Sequence, residues 1–217
     1  MRLAHVWFGS ILGEDGKPFK TRSGETVKLA DLLDEAEQRA FALVTEKSPE
    51  LPPDDRREIA RVIGIGAVKY ADLLPNRQSD YTFSWDKMLS FQGNTAPYLQ
   101  NAYVRIRSIF RKGEIADSEL RAPDSAFLLA NPAELALTKK LLQFGEAVPQ
   151  VLDDYRPNLL ANYLYELAST FHSFFEQCPV LKSEGETRTT RLALCDLTAR
   201  ILARGLDLLG IEVPERM

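Results

Sequence analysis

Apolar residues recur at intervals of three and four through most of this chain, and this periodicity restricts its fold more than any other feature. One such segment follows Lys28, and a second follows the proline-fixed turn at residues 51–55. Each predicts an amphipathic helix that buries one face against another element. Gly64 and Gly66 in the second segment disfavour a helix by about 1 kcal/mol each relative to alanine, so we expect them to permit close packing. The pattern predicts a mainly α protein.

Four more helical segments follow a connector at residues 75–85, in which aromatic and polar residues alternate. The last should run from about Thr187 to Leu209. Asn131 followed by Pro132 is typical of a helix start. We place a hinge between the connector and Pro97, dividing the chain into residues 1–90 and 91–217. The first three of these segments are APYLQNAYVRIRSIFRK, NPAELALTKKLLQFGEAV and NLLANYLYELASTFHSFFEQC.

The beginning of the chain predicts a strand rather than a helix. Val6, Phe8 and Ile11 form a short apolar run within residues 3–12, and Gly13 closes it. Such a run is typical of a buried strand that enters a turn. A buried strand needs neighbours in a sheet, and the rest of the sequence offers no obvious partner.

The segment GEDGKPFKTRSGET, residues 13–26, joins this strand to the first helix. Lys17 and Lys20 are three residues apart, and Thr21 follows. A loop with these cations can close on a polyphosphate and neutralise charge that develops during phosphoryl or adenylyl transfer. A solvated turn is the alternative that the loop alone leaves open. The order G-x-x-x-x-G-K-[ST] is absent, so this is not a Walker-type loop.

Composition narrows the class of protein. The 217 residues carry a formal net charge of −4, which argues against coating nucleic acid through bulk charge but allows a local basic face. Cys178 and Cys195 have no metal-binding spacing and form no disulfide framework, so we expect buried thiols, a reducing cytoplasm and no metal site. No apolar run approaches the roughly 20 residues of a membrane helix. We therefore expect a cytoplasmic protein without a membrane partner.

The segment from Tyr98 to Lys112 predicts a basic amphipathic helix. Tyr98 and Arg105 are seven residues apart and share a face, and Arg107, Arg111 and Lys112 extend the cationic surface. Unpaired RNA bases can stack on such aromatic and guanidinium planes while phosphates meet the charges. An ordinary core helix with a solvated basic face is the alternative that these residues leave open.

The segment that begins at Asn158 is rich in aromatic residues, a density that is typical of a core helix. We expect Tyr163, Phe171 and Phe174 to be buried. His172, a lone histidine in this segment, is interpreted as a core or boundary residue rather than a catalyst.

Five blocks of the sequence, in order, closely resemble the C-terminal part of arginyl-tRNA synthetases. The resemblance covers essentially the whole chain. It implies a mainly α fold: a helical-bundle anticodon-binding domain, preceded by the strand, signature loop and helices that end a class I Rossmann-type catalytic domain. The blocks are HVWFGSILGEDGKPFKTRSGETVKLADLLDEA, IGIGAVKYADL, MLSFQGNTAPYLQNAYVRIRSI, NYLYELASTFHSFFE and VPERM.

For the loop, the resemblance implies a catalytic role. KPFKT corresponds to the KMSKS signature, so Lys17, Lys20 and Thr21 are its expected catalytic residues, and Lys17 and Lys20 are expected to bind ATP. Pro18 and Phe19 depart from the class pattern. In the intact enzyme, with ATP and Mg²⁺, the arginine carboxylate attacks the α-phosphate and pyrophosphate leaves, and mobile cations can stabilise that transition state.

For the helical half, the resemblance implies a surface for the anticodon of tRNA(Arg). Tyr98, Arg105, Phe175 and the terminal Met217 are the expected contacts. The sequence departs from the family pattern at Asn101, where relatives often carry a tyrosine. The implied partners are tRNA(Arg), arginine and ATP in the intact enzyme, which we expect to be a monomer, and no DNA.

The other half of class I chemistry is missing from this sequence. Neither His5 nor His172 lies in a HIGH-type motif, and the glycine-rich Rossmann entry is absent. We therefore expect a fragment of arginine-tRNA ligase that does not aminoacylate alone, whose first strand belongs to a sheet with its other strands outside the sequence. A stand-alone helical RNA-binding or adaptor module without catalysis is the alternative.

Overall fold

The computed structural model describes residues 3–13, 15–17, 28–116 and 127–217, and these residues are mainly α as predicted. They contain two strands of two residues each and eight helices. The strands are β1 (Ile11–Leu12) and β2 (Tyr81–Thr82). The helices are α1 (Leu29–Lys47), α2 (Pro53–Leu73), α3 (Trp85–Met88), α4 (Ala96–Gly113), α5 (Pro132–Leu142), α6 (Phe144–Asp154), α7 (Pro157–Gln177) and α8 (Gly185–Leu208).

The predicted first strand is much shorter than residues 3–12, and this chain supplies a partner for it. β1 pairs in parallel with β2, with Ile11 opposite Tyr81. Gly9 extends the contact by donating its N–H to the carbonyl of Arg77 at 2.7 Å. The expectation that all partners lie outside the sequence was therefore wrong for Ile11 and Leu12. The residues before them form no regular ladder, and large apolar side chains there are exposed: Phe8 is 82% exposed and Trp7 49%.

α1 and α2 pack closely against each other around a small apolar core. Its buried side chains include Ala40, Val44 and Ile63. A Cβ atom added at Gly64 would lie 2.7 Å from the backbone of Ala36. The expectation that this glycine permits close packing is confirmed, because no larger residue could let the two backbones approach so far.

A second, larger core lies among α4, α5, α7 and α8. Tyr163, Phe171 and Phe174 are buried in it, as expected, and so are both cysteine thiols. Burial raises the pKa of the Cys195 thiol, which therefore stays protonated at neutral pH. This core fixes the relative positions of α4 and α7, which carry most of the predicted RNA-binding residues.

Residues 210–217, here called the tail, cross α2 and α4 after α8 ends. Lys69 donates to the carbonyl of Gly210 at 2.5 Å, and the buried amide of Gln100 donates to the carbonyl of Glu212 at 2.9 Å. Arg61 forms an ion pair with Glu212 at 2.7 Å. The half-buried side chain of Met217 packs against both apolar cores. α2 also packs directly against α4 and α7, where the hydroxyl group of Tyr70 donates to the carbonyl of Ala161 at 2.9 Å, and the tail reinforces that junction.

Candidate nucleic-acid interface

α4 carries two of the predicted contacts, and its start is fixed by a side-chain cap. Thr95 Oγ1 accepts a hydrogen bond from the backbone N–H of Tyr98 at 3.3 Å, and Pro97 lies in the first turn. Leu99, Ala102 and Ile106 turn into the core, with no exposed surface. Because these residues form the buried face of α4, Tyr98 and Arg105 project from a different face of the helix.

Tyr98 lies in an aromatic cluster between α4 and α7. Its hydroxyl group is 2.8 Å from Nδ1 of His172, and the two rings meet edge to face with centroids 4.9 Å apart. The ring of Tyr165 lies 5.5 Å from that of Tyr98. Contacts on two sides of the ring favour one orientation, with part of the side chain still accessible to solvent.

Arg105 lies one step further along the same face. Its guanidinium group is 5.2 Å from the centre of the Phe175 ring, a distance at which a cation is attracted to the aromatic face. Phe175 is 36% exposed and contacts Phe171, which also contacts His172. The structure therefore brings Tyr98, Arg105 and Phe175 onto one surface. We call this surface, with Tyr165 and His172, the α4–α7 face.

Met217 lies apart from this face. The tail that carries it runs along the other side of α4, where Tyr103 donates its hydroxyl hydrogen to Glu215 at 3.0 Å. Successive α-helical residues turn by about 100°, so Tyr103 points well away from Tyr98 and Arg105. Three of the four residues expected at the anticodon surface are thus brought together, and Met217 lies between the two cores.

The cationic surface expected along α4 is divided. Arg107 forms an ion pair with Glu215 at 3.0 Å, and Arg111 donates to the carbonyl of the same residue at 2.9 Å. Both arginines therefore contact the tail and do not extend the surface of Arg105, contrary to the expectation. Lys112, seven residues after Arg105, remains on the Arg105 side of the helix.

The N-terminal loop is described only in part. Lys17 is exposed, and its backbone carbonyl accepts a hydrogen bond from the N–H of Gly13 at 2.8 Å, which closes a turn after β1. Lys20 and Thr21, the other two expected catalytic residues, lie outside the described residues.

Tyr165 and His172 belong to the site but were not predicted from the sequence as part of it. They are seven residues apart on α7 and Phe175 follows three residues later, so all three share one helical face. That spacing was visible in the sequence. The contact of this face with Tyr98 was not visible in the sequence, because it depends on how α4 and α7 pack.

Two properties of the described residues bear on other classes of function. No three or more histidine, cysteine or acidic side chains come together in a way that could hold a metal ion. None of the described helices is both long enough and apolar enough to cross a membrane.

Comparison with protein families divides the chain into two matched regions. Residues 99–217 match the DALR anticodon binding domain, and residues 1–85 match the catalytic domain of the class I (R) tRNA synthetases. The first region contains Arg105, Phe175 and Met217, and the second contains the loop with Lys17.

Individual relatives agree with both matches. The arginine-tRNA ligase of Chromobacterium violaceum is 56% identical over 217 residues, and that of Laribacter hongkongensis is 57% identical over the same length. Each match covers 100% of this chain, and the chain spans 37% of the length of each relative.

A solved structure gives the same result for the fold. The arginyl-tRNA synthetase of Thermus thermophilus superposes with a TM-score of 0.84 at 34% identity, covering 97% of this chain and 35% of the other. The resemblance read from the sequence blocks is confirmed, and so is the fold of a helical domain preceded by the end of a class I catalytic domain. The chain belongs to the DALR anticodon binding domain family, in the form in which arginyl-tRNA synthetases carry that domain.

Proposed function

We propose that this chain is the C-terminal portion of an arginine-tRNA ligase, in which the helical bundle binds the anticodon region of tRNA(Arg). The observation that carries the proposal is the α4–α7 face: a partly exposed tyrosine and an arginine stacked on an exposed phenylalanine, within a domain of an anticodon-binding family. The family matches end at residue 85 and begin again at residue 99, which supports a domain boundary near residue 90.

The chemistry of the α4–α7 face suits an unpaired RNA loop. Bases splayed out of such a loop stack on aromatic rings and on the guanidinium plane of arginine, and each stacked base contributes about 1–3 kcal/mol. Tyr98 and Phe175 offer two rings, and Arg105 offers a charge and hydrogen-bond donors beside them. Met217 is proposed as a further contact on the strength of the resemblance, through the part of its side chain that remains accessible.

The ligation reaction is proposed for the intact enzyme and not for this chain alone. Lys17 and Lys20 would hold the phosphates of ATP and, with Thr21, stabilise the transition state of arginyl-adenylate formation. The exposure of Lys17 in a turn after β1 is compatible with that role. The described residues contain no group of histidine, cysteine or acidic side chains that could hold a metal ion, so none of them is assigned to Mg²⁺. We also propose that the intact enzyme acts in the cytoplasm as a monomer.

A titration with the anticodon stem-loop of tRNA(Arg) tests the proposal. Fluorescence anisotropy would compare this stem-loop with one whose middle anticodon base is changed, at two salt concentrations. We expect the wild-type chain to prefer the unchanged loop. Arg105→Ala should weaken its binding by about 1–3 kcal/mol, which is about 5- to 150-fold, and reduce the preference.

Arg204→Ala is the matched control, because Arg204 is an exposed arginine of α8 whose ion pair within the described part of the chain is local, with Asp207 at 2.6 Å. It should leave both affinities unchanged. Equal binding of the two loops by the wild-type chain, disappearing as salt rises, would reduce the interaction to phosphate attraction and contradict the proposed anticodon recognition.

A further inference from the structure

Five residues form a line along α4 that extends beyond the aromatic cluster. They are spaced by three, four, three and four positions, which keeps them on one side of a helix. At 1.5 Å per residue the line is about 21 Å long, enough to follow several nucleotides of a single strand. We call these residues the α4 line: Tyr98, Asn101, Arg105, Ser108 and Lys112.

All residues of the α4 line except Tyr98 lie in one wall of a groove of about 740 Å³. Phe175 and Glu176 at the end of α7, followed by residues 179–182, form the opposite wall. Val104, Ile109 and Val180 are buried at its base. The groove therefore starts beside Asn101, includes the contact of Arg105 with Phe175, and continues toward the end of α4.

The local charge of this groove is set by Arg105, two lysines and one glutamate. Tyr98 meets the middle of α7 and Arg105 meets its end, so α4 and α7 run in the same direction and both end near the groove. Helix C-termini present carbonyl groups, which disfavour an anion. Lys112 and Lys182 lie on opposite walls and supply positive charge, which attracts an anion. Glu176 is the only acid among the described residues that line the groove. Within the described part of the chain, neither lysine pairs with a carboxylate.

We propose that this groove is a second RNA subsite, which takes the sugar-phosphate backbone of the unpaired nucleotides next to the base that stacks on Phe175. Lys112 and Lys182 would neutralise phosphates from the two walls. Asn101 and Ser108, on the α4 wall, offer side-chain donors and acceptors suited to ribose hydroxyl groups. Contacts of this kind hold a strand in place without reading its sequence. The inference rests on the proposed function and adds a site that the aromatic cluster alone does not provide.

The test is the double substitution Lys112→Ala/Lys182→Ala, titrated with the same two stem-loops over a series of salt concentrations. For single strands, the logarithm of the association constant falls with that of salt by about 0.7 for each phosphate neutralised. Loss of two contacts should therefore reduce the slope by about 1.4 and weaken binding on the order of tenfold at 0.1 M salt. Both stem-loops should be affected equally, so that the preference between them stays unchanged.

Lys28→Ala/Lys87→Ala is the matched control, because it removes the same charge from two exposed lysines outside the bundle, at the start of α1 and in α3. Circular dichroism would verify that both variants keep their helices. The subsite would be overturned if Lys112→Ala/Lys182→Ala had the same salt slope as the wild type. The proposed function would still stand in that case, provided that the wild type prefers the stem-loop with the original anticodon. Failure of the wild-type chain to bind either stem-loop would overturn both.

Discussion

Among single residues, His172 is the one whose environment has the clearest measurable consequence. One ring nitrogen contacts the hydroxyl group of Tyr98, while Nε2 is buried without a hydrogen-bond partner among the described residues. Burial lowers the pKa of the imidazole, the charge of Arg105 lowers it further, and Glu176 opposes this weakly. The hydroxyl group of Tyr98 is a further ionisable group in contact with the ring. The folded protein therefore favours a neutral His172.

We predict that the stability of the protein falls with acidity in a way that depends on His172. Since the folded pKa lies below the unfolded value of about 6.5, the unfolded chain takes up a proton that the folded chain resists as pH drops below about 6.5. This loss in the free energy of unfolding is absent above about pH 6.5 and reaches at most about 1.4 kcal/mol per pH unit below it.

Urea denaturation between about pH 7.5 and pH 5.5 measures this effect. The free energy of unfolding of the wild type should drop more steeply than that of His172→Gln, which cannot take up the proton. Parallel pH profiles for the two proteins would show that His172 does not titrate differently on folding.

A separation of seven residues places Tyr98 and Arg105 on one helical face, whatever surrounds the helix, and the resemblance to arginyl-tRNA synthetases assigned that face to RNA. Sequence reasoning did not reach the contact of His172 with Tyr98, which are 74 residues apart in sequence. Likewise Arg107 and Arg111 were expected on the RNA side. The carboxylate and carbonyl of Glu215 draw them to the tail, and a helical pattern contains no information about that partner.

Among the elements, the contact between α1 and α2 depends on one glycine. Gly64→Ala would place a Cβ atom 2.7 Å from the backbone of Ala36, and backbone atoms cannot move aside as the end of a side chain can. We predict a loss of about 1–3 kcal/mol in the free energy of unfolding, although alanine favours a helix over glycine.

Gly145→Ala is the matched control in α6, because a Cβ atom there would meet nothing within 4 Å. Thermal denaturation should show a lower melting temperature for Gly64→Ala and an unchanged or slightly higher one for Gly145→Ala. Equal melting temperatures for Gly64→Ala and the wild type would mean that the helices can separate without cost.

The helices themselves were largely predictable, and the exceptions have physical reasons. Asn131 caps α5 with a full capping box, as its sequence suggested. The same segment was expected to continue to Val148, but the chain breaks at Gln143 and starts α6. Both α5 and α6 pack against α7, and the break lets each bury its own face there. Periodicity describes one helix at a time and does not fix where packing bends the chain.

At the scale of the whole molecule, two apolar cores meet at Met217. We predict that Met217→Ala lowers the free energy of unfolding by about 1–2 kcal/mol, less than for a fully buried methionine because this side chain is only half-buried. The proposed contact with RNA predicts weaker binding of the anticodon stem-loop as well. A stability loss with unchanged stem-loop affinity would restrict Met217 to joining the cores.

The exposed apolar residues before β1 predict self-association of this chain. Val6 is 45% exposed, in addition to Trp7 and Phe8, and these residues precede β1, whose Ile11 is 36% exposed and which among the described residues pairs along one edge only. Sedimentation equilibrium should show dimers or larger species that Trp7→Ser/Phe8→Ser converts to monomers. A wild-type chain that remains monomeric at high concentration would contradict this prediction.

The position of the tail has a consequence for the order in which the molecule is completed. α1, α2 and α4 leave the ribosome well before residues 210–217, so each core can begin to form while the chain is still being synthesised. The hydrogen bonds from Lys69 and Gln100, and the packing of Met217, become possible only after the tail has emerged. A chain cut short before residue 210 would keep the direct packing of α2 against α4 and α7 but lack the bonds that the tail adds across that contact, so the junction between the two halves reaches its full strength only after synthesis has passed this point.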